Sequence, residues 1–350
     1  MAVEYRGSIY RDDSRLPQWL AQRETESAID PDIPIVDPHH HLWASPRWGT
    51  YLLPDYTADL EGGHNIVATV YVEAGAMYRT EGPDHLRPVG EIEFAASIAD
   101  ELVIGPQGRI RVAAGIVGHA DLTLGSGVRE VLAAEQAAGR GHLRGIRYSV
   151  PWDPQDEICA YLAHYVPPGQ LLDRAFREGF AELAPLGLSY DVWLLHPQLP
   201  DLIDLARAFP NTTIILDHLG SILGVGRFAG HRERTLHEWR RDFAELARCD
   251  NVFVKIGGLG MTQCGFDFHL QDRPASSEEL AQAWRPYVET AIELFGTRRC
   301  MFESNVPPDR QSSGFNELWN AFKRITAAAS PDERADLFSR TASRVYRLDI

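Results

Sequence analysis

Ile33-Pro34-Ile35-Val36-Asp37-Pro38-His39-His40-His41-Leu42-Trp43 is the stretch on which the reading of this chain turns. An apolar run passes directly into an aspartate and three consecutive histidines. A short apolar run with a β-branched bias predicts a buried strand, along which side chains alternate between faces. The alternation puts Asp37, His39 and His41 on one face and Pro38, His40 and Leu42 on the other. Two imidazoles at i and i+2 on a rigid strand end suit a divalent metal or the polarisation of a substrate oxygen. A purification tag also carries consecutive histidines, but a tag is terminal and no buried strand leads into it.

Working outward, the same beat repeats. Apolar strand candidates follow at 66–72, 111–117, 143–150, 190–195, 212–216, 252–256 and 300–302, with helical spacing between them. Helices are expected over 91–103, from Val128 through Ala133, and over 171–183, 199–209 and 236–247. Three more are expected after Ser276, over 315–328 and after Ser330. Ser276 with Glu279 reads as a capping box, and Ser330-Pro331-Asp332-Glu333 as a cap, a proline at the first helical position and a glutamate at the third. Strictly alternating βα units with fully apolar strands imply a parallel sheet covered by helices, and eight of them imply an α/β protein with a closed (β/α)8 TIM barrel. Residues 1–32, polar and mixed, are read as an N-terminal arm packed on the barrel of 33–350. Ser45–Pro54, rich in Trp, Tyr and Pro, is read as a loop over the mouth.

Polar residues gather at the carboxyl ends of these strands: His39, His41, Glu73, His119, Arg147, His196, His218, Lys255, Glu303 and Asn305. That mouth is where such barrels keep their chemistry. One such residue is usually a core or capping group, but ten in register are hard to explain as packing. Neutral imidazoles bind a metal without first losing a proton. A lone strand-end histidine such as His119 is more often a hydrogen-bonded core residue. Arg147 either pairs with Glu73 or meets an anionic substrate group, and Lys255 is read as an ion-pair partner before a catalyst. Tyr148 and Trp152 are pocket wall or packing.

Composition limits the partners. The net charge of −15 leaves no basic surplus for nucleic acid or an anionic membrane, and no stretch approaches the roughly 20 apolar residues of a membrane span. Four dispersed cysteines and the lack of a signal-peptide apolar core point to a cytoplasmic protein with reduced thiols.

The motifs carry a resemblance. Asp37-Pro38-His39-His40-His41-Leu42-Trp43, His196-Pro197-Gln198-Leu199-Pro200 and Leu216-Asp217-His218-Leu219-Gly220 together resemble the amidohydrolase superfamily, in its amidohydrolase-2 branch of lactonases and decarboxylases. The likeness covers about residues 33–346. It is nearest the lactonase group that includes 2-pyrone-4,6-dicarboxylate lactonase and the sugar-acid lactonases. It implies that His39, His41 and His196 are metal or substrate-oxygen ligands, that His218 positions water or polarises the carbonyl, and that Arg147 holds a carboxylate or hydroxyl. A homodimer is compatible with barrels of this kind.

The last strand departs from the family. Where Phe-Gly-Ser-Asp is usual, with its Asp as metal ligand and base, this chain has Phe302-Glu303-Ser304-Asn305. Asn takes no proton from water. The carboxylate is expected to have moved to Glu303, completing a metal set of His39, His41, His196 and Glu303, with Asp309 the second candidate base. One divalent ion, zinc or manganese, or none, stays open at this point. The expected function is hydrolysis of a small lactone or related cyclic ester bearing carboxylates or hydroxyls, with Glu73, His119, Arg147, Tyr148, Lys255 and His269 around the substrate. The insertion Leu259–Pro274, which contains His269, is the expected lid. A metal-dependent decarboxylase and a barrel that only binds ligand are the rivals.

Overall fold

The structure is a computed structural model that describes residues 10–350. Eight parallel strands pair in chain order: β1 (Pro34–His40), β2 (Asn65–Val72), β3 (Gly108–Gly118), β4 (Leu143–Arg147), β5 (Ser189–Val192), β6 (Ile214–Leu216), β7 (Val252–Ile256) and β8 (Cys300–Phe302). Beyond the end of β8 the chain meets β1: Asn305 N donates to His39 O at 3.0 Å and His41 N to Val306 O at 2.9 Å. Those two bonds close the barrel at its carboxyl mouth. Each strand is followed by a covering helix: α1 (Leu53–Leu60), α2 (Val89–Ala99), α3 (Val128–Ala138), α4 (Arg174–Phe180), α5 (Leu199–Ala208), α6 (Arg232–Leu246), α7 (Ser277–Phe295) and α8 (Phe315–Ile325).

Burial on two sides explains why the strands read as unbroken apolar runs. Ile35, Ile66, Ile116, Ile146, Ile214 and Val254 pack outward against helices, burying apolar area at about 25 cal/mol per Å². Val36, Val70, Val72, Val117, Ile215 and Met301 fill the barrel with Val345 and Tyr346 of the C-terminal segment, which plugs the amino end. Ser276 caps α7 as expected, donating its N–H to Glu279 Oε2 at 2.7 Å and accepting from Glu279 N at 3.2 Å. Ser330 with Glu333 repeats the device at Pro331–Ala335.

Three local readings change. The 45–54 loop contains an antiparallel hairpin, Trp43–Ser45 with Gly49–Tyr51, whose β-propensity outweighs its proline. The helix expected to run to 103 stops at Ala99, because Val103–Gly105 pairs antiparallel with the start of β3. A register shift between Asp37 and His40 breaks strict alternation in β1. Asp37 therefore does not share a face with His39: it and His40 turn outward to Tyr56, while His39 and His41 turn inward.

Residues 10–32 lie against the loops after β7 and β8 and against α8. Trp19 Nε1 donates to Gln271 O at 2.8 Å, Arg11 N to Gln311 Oε1 at 2.8 Å, and Lys323 Nζ to Ile29 O at 2.7 Å. Residues 1–9 of the expected arm lie outside the described residues. Among those described, no helix is long and apolar enough to cross a membrane.

Candidate active site

The inward ends of β1, β5, β6, β7 and β8 meet in a floor of fully buried ionisable groups. Lys255 Nζ donates to Asp191 Oδ2 at 2.7 Å and lies 3.0 Å from Asp217 Oδ1 and 3.2 Å from His39 Nδ1. Glu303 lies between two imidazoles: Oε2 is 2.9 Å from His39 Nδ1 and Oε1 is 2.7 Å from His218 Nδ1. Tyr346 donates its hydroxyl to Asp191 from below. Gly257 and Gly258, just past β7, make this packing feasible. A Cβ on Gly257 would collide with Glu303 Cγ, and one on Gly258 with His218. His218 itself has φ of 56°, in the left-handed region that costs a non-glycine residue about 1–3 kcal/mol and recurs at functional sites.

Above this floor a cavity of about 460 Å³ opens at the barrel mouth. His41, His218 and Asn305 line one end, with Met261 and Pro308. Glu73, Tyr78, His119, Arg147 and Ser149 line the other, and Trp43, Trp48 and Trp193 supply flat apolar walls. Arg147 Nε donates to Glu73 Oε1 at 2.6 Å and its Nη2 donates to the Glu73 carbonyl. Asn305 Nδ2 donates to Asp309 Oδ1 at 3.1 Å, which leaves the amide oxygen of Asn305 as an acceptor.

Burial dominates the electrostatics and is opposed by specific neighbours. It pushes up the Asp309 carboxyl to about 7, despite the hydrogen bond from Asn305. It works the same way on Glu303, but His218 and His39 more than reverse it and hold that carboxylate ionised. Burial, then His39 and Arg147, holds His41 well below the usual imidazole range, so this ring is neutral. His41 Nδ1, 2.8 Å from Val72 O, must carry its proton, and Nε2 presents a lone pair. His39 Nε2 lies 3.1 Å from that nitrogen. The spacing is close to the ~3.3 Å between two nitrogens on a tetrahedral zinc with bonds of about 2.0–2.1 Å.

The structure sorts the expected residues into three groups. His41, Glu73, His119, Arg147, His218 and Asn305 reach the cavity. His39, Lys255 and Glu303 form the floor beneath it. His196, Tyr148 and His269 stand apart. His196 Nδ1 accepts from Leu223 N at 3.2 Å and its ring packs on Phe228, a bond that fixes the loop after β6. Tyr148 stacks on His119, and His269 packs edge-on against Tyr10 of the arm. Among the described residues, the three-ligand group whose atoms fit one metal ion is therefore His39, His218 and Glu303; of the expected set, His41 and His196 are not in it and His218 takes their place. Asp191, Asp217, Ser149 and the tryptophan walls were not singled out from sequence as site residues. Asp191, a charge within an apolar strand, is a signal for a buried cation such as Lys255.

The amidohydrolase family profile matches residues 36–348. An uncharacterized protein, y4mH, of Sinorhizobium fredii is 34% identical over 339 residues, covering 91% of this chain and 99% of that one. An L-fucono-1,5-lactonase of Burkholderia multivorans is 28% identical, covering 89% and 96%. A crystal structure of a Burkholderia multivorans amidohydrolase with bound zinc superposes with a TM-score of 0.68 at 25% identity, covering 90% and 99%. The chain belongs to the amidohydrolase family, and it is a hydrolase-type enzyme.

Proposed function

We propose that this enzyme opens a small lactone or related cyclic ester at the His41–His218–Asn305 end of the cavity. The observation that carries this reading is the His218–Glu303 pair. One imidazole lines the cavity while its Nδ1 is held 2.7 Å from a buried carboxylate. A carboxylate in that position fixes the ring's tautomer and leaves Nε2 free to accept a proton from water. Glu303 then acts through His218, because two imidazoles separate it from the cavity. The Asn305 amide oxygen accepts a hydrogen from the same water and orients it. Water oxygen bonds to the lactone carbonyl carbon and its proton passes to His218 Nε2. When the ring C–O bond breaks, that proton moves to the departing alkoxide. Arg147, fixed by Glu73, supplies positive charge near the developing oxyanion.

His39, His218 and Glu303 also fit a divalent ion, zinc or manganese by the nature of the donors, since their ligand atoms lie within 4.8 Å of one another. When bound, such an ion supplies Lewis-acid polarisation of the carbonyl.

A panel of γ- and δ-lactones, assayed by acid release, tests the reading. Ring opening that collapses in His218→Ala supports it. Carbon dioxide release from unsaturated or aromatic acids, without any lactone opening, would replace it with a decarboxylase.

A further inference from the structure

The turn that carries His218 is built against the preference of its own backbone. β6 ends at Leu216, and the next two residues both face the barrel interior. Asp217 Oδ1 lies 3.0 Å from Lys255 Nζ, and His218 Nδ1 lies 2.7 Å from Glu303 Oε1. Successive side chains of an extended strand point to opposite faces, so a straight continuation would send one of the two outward. The chain instead enters the left-handed region for four residues in a row, with φ of 56° at His218, 57° at Leu219, 75° at Gly220 and 45° at Ser221. Residues with a Cβ visit that region singly, because the Cβ crowds the following carbonyl oxygen. His218, Leu219 and Ser221 all carry one, so the turn needs restraint from outside itself. Its own bond runs from Ser221 N to His218 O at 2.8 Å. Two indoles supply the rest. Trp239 of α6, fully buried and stacked on Phe243, donates Nε1 to Leu219 O at 2.9 Å. Trp193, just past β5, donates Nε1 to Ser221 Oγ at 2.8 Å while its ring lines the cavity. One donor comes from the helix layer and the other from the cavity wall.

We propose that Trp239 and Trp193 are positioning residues: their indole N–H groups hold the left-handed turn His218–Ser221, and that turn aims His218 at Glu303 and at the cavity together. Backbone strain of this kind persists only where the surroundings over-determine it, and here the surroundings are these two donors. Released from either indole, the turn relaxes toward ordinary backbone, and the imidazole leaves the carboxylate that fixes its tautomer. The effect on turnover rests on the lactone-hydrolase reading. The clamp itself does not.

Isotopic labelling of tryptophan nitrogen gives each of the eight indoles its own NMR signal, and Trp→Phe substitutions assign them. Trp239→Phe and Trp193→Phe each remove one N–H and keep an aromatic ring. Two indoles that hold one turn should report on each other. Trp239→Phe is expected to displace the Trp193 signal and Trp193→Phe the Trp239 signal, while Trp19 of the arm and Trp319 of α8 stay in place. On any lactone the enzyme opens, Trp239→Phe should lower kcat by about three- to tenfold, the weight of one neutral hydrogen bond, with KM within about twofold. A purely structural indole would lower the melting temperature and leave kcat alone. Indole signals that ignore each other overturn the shared clamp, and an unchanged kcat in Trp239→Phe overturns the positioning role. Should Trp239→Phe not fold, Ser221→Ala decides, because it breaks the Trp193 bond alone. An unmoved Trp239 signal or an unchanged kcat there overturns the proposal as well. If no lactone on the panel opens, the hydrolase reading fails, and the indole signals still decide whether the clamp exists.

Discussion

Two ends of one cavity use the same ingredients to different purpose. Under His218, carboxylates and cations are packed with no solvent exposure: Lys255, Asp191, Asp217, His39 and Glu303. Under Glu73, a single carboxylate–guanidinium pair reaches the cavity with about 7% of each residue exposed. Buried charges that satisfy one another are rigid, and removing one leaves the rest uncompensated. A pair at a cavity wall can trade partners with a ligand. The floor fixes geometry, and the wall selects what enters.

That contrast breaks most visibly at His218. His218→Ala should reduce lactone turnover by about 10²–10⁴-fold, the usual contribution of a positioned proton acceptor, and should lower the unfolding temperature as well, because Glu303 loses a buried partner. An equal loss in Arg147→Met would erase the distinction between the two ends. Next in size is Lys255→Met. It strips the cation shared by Asp191 and Asp217, and urea unfolding should show a loss of about 3–5 kcal/mol. Gly257→Ala forces Glu303 aside, and calorimetry should register about 1–3 kcal/mol, the ordinary cost of overpacking. Metal content sharpens the boundary of the floor. Elemental analysis should find any zinc or manganese diminished in His218→Ala and retained in His196→Ala, whose ring serves the Leu223 amide instead.

The smallest effect concerns Asp309. Its carboxyl ionises near its ordinary value of 3.8 when unfolded and at about 7 when folded. A raised folded value means that the native state binds the extra proton. The associated stability is complete below about pH 4 and fades as pH rises towards 7. Asp309→Asn should flatten that decline, seen as a smaller difference in melting temperature between pH 5 and pH 8. An unchanged slope would assign the pH dependence to other groups.

Most of the fold is legible in the sequence because strands buried on both faces read as short unbroken apolar runs, and these alternate with stretches of helical spacing. All eight strands and the Ser276 cap follow from that. The active-site end is partly legible. Placement at strand ends brought His41, Glu73, His119, Arg147, His218 and Asn305 to the cavity, since barrel topology carries them there regardless of detail. His196 was misplaced because a strand-end position fixes where a residue begins, not which way its ring turns once a loop amide claims it. Asp37 was misplaced because a register shift in β1 leaves no trace in composition. Gly257-Gly258 directly follows the seventh strand in the sequence, but the room it leaves for Glu303 and His218 exists only in three dimensions.

The C-terminal plug gives the floor a history as well as a shape. Tyr346 reaches Asp191 across 155 positions of chain, so the partner that seals the floor from below leaves the ribosome after all eight strands. The lower seal of the floor is thus supplied by residues that follow all eight strands in the chain, and the complete burial of Asp191 and Lys255 includes that contact.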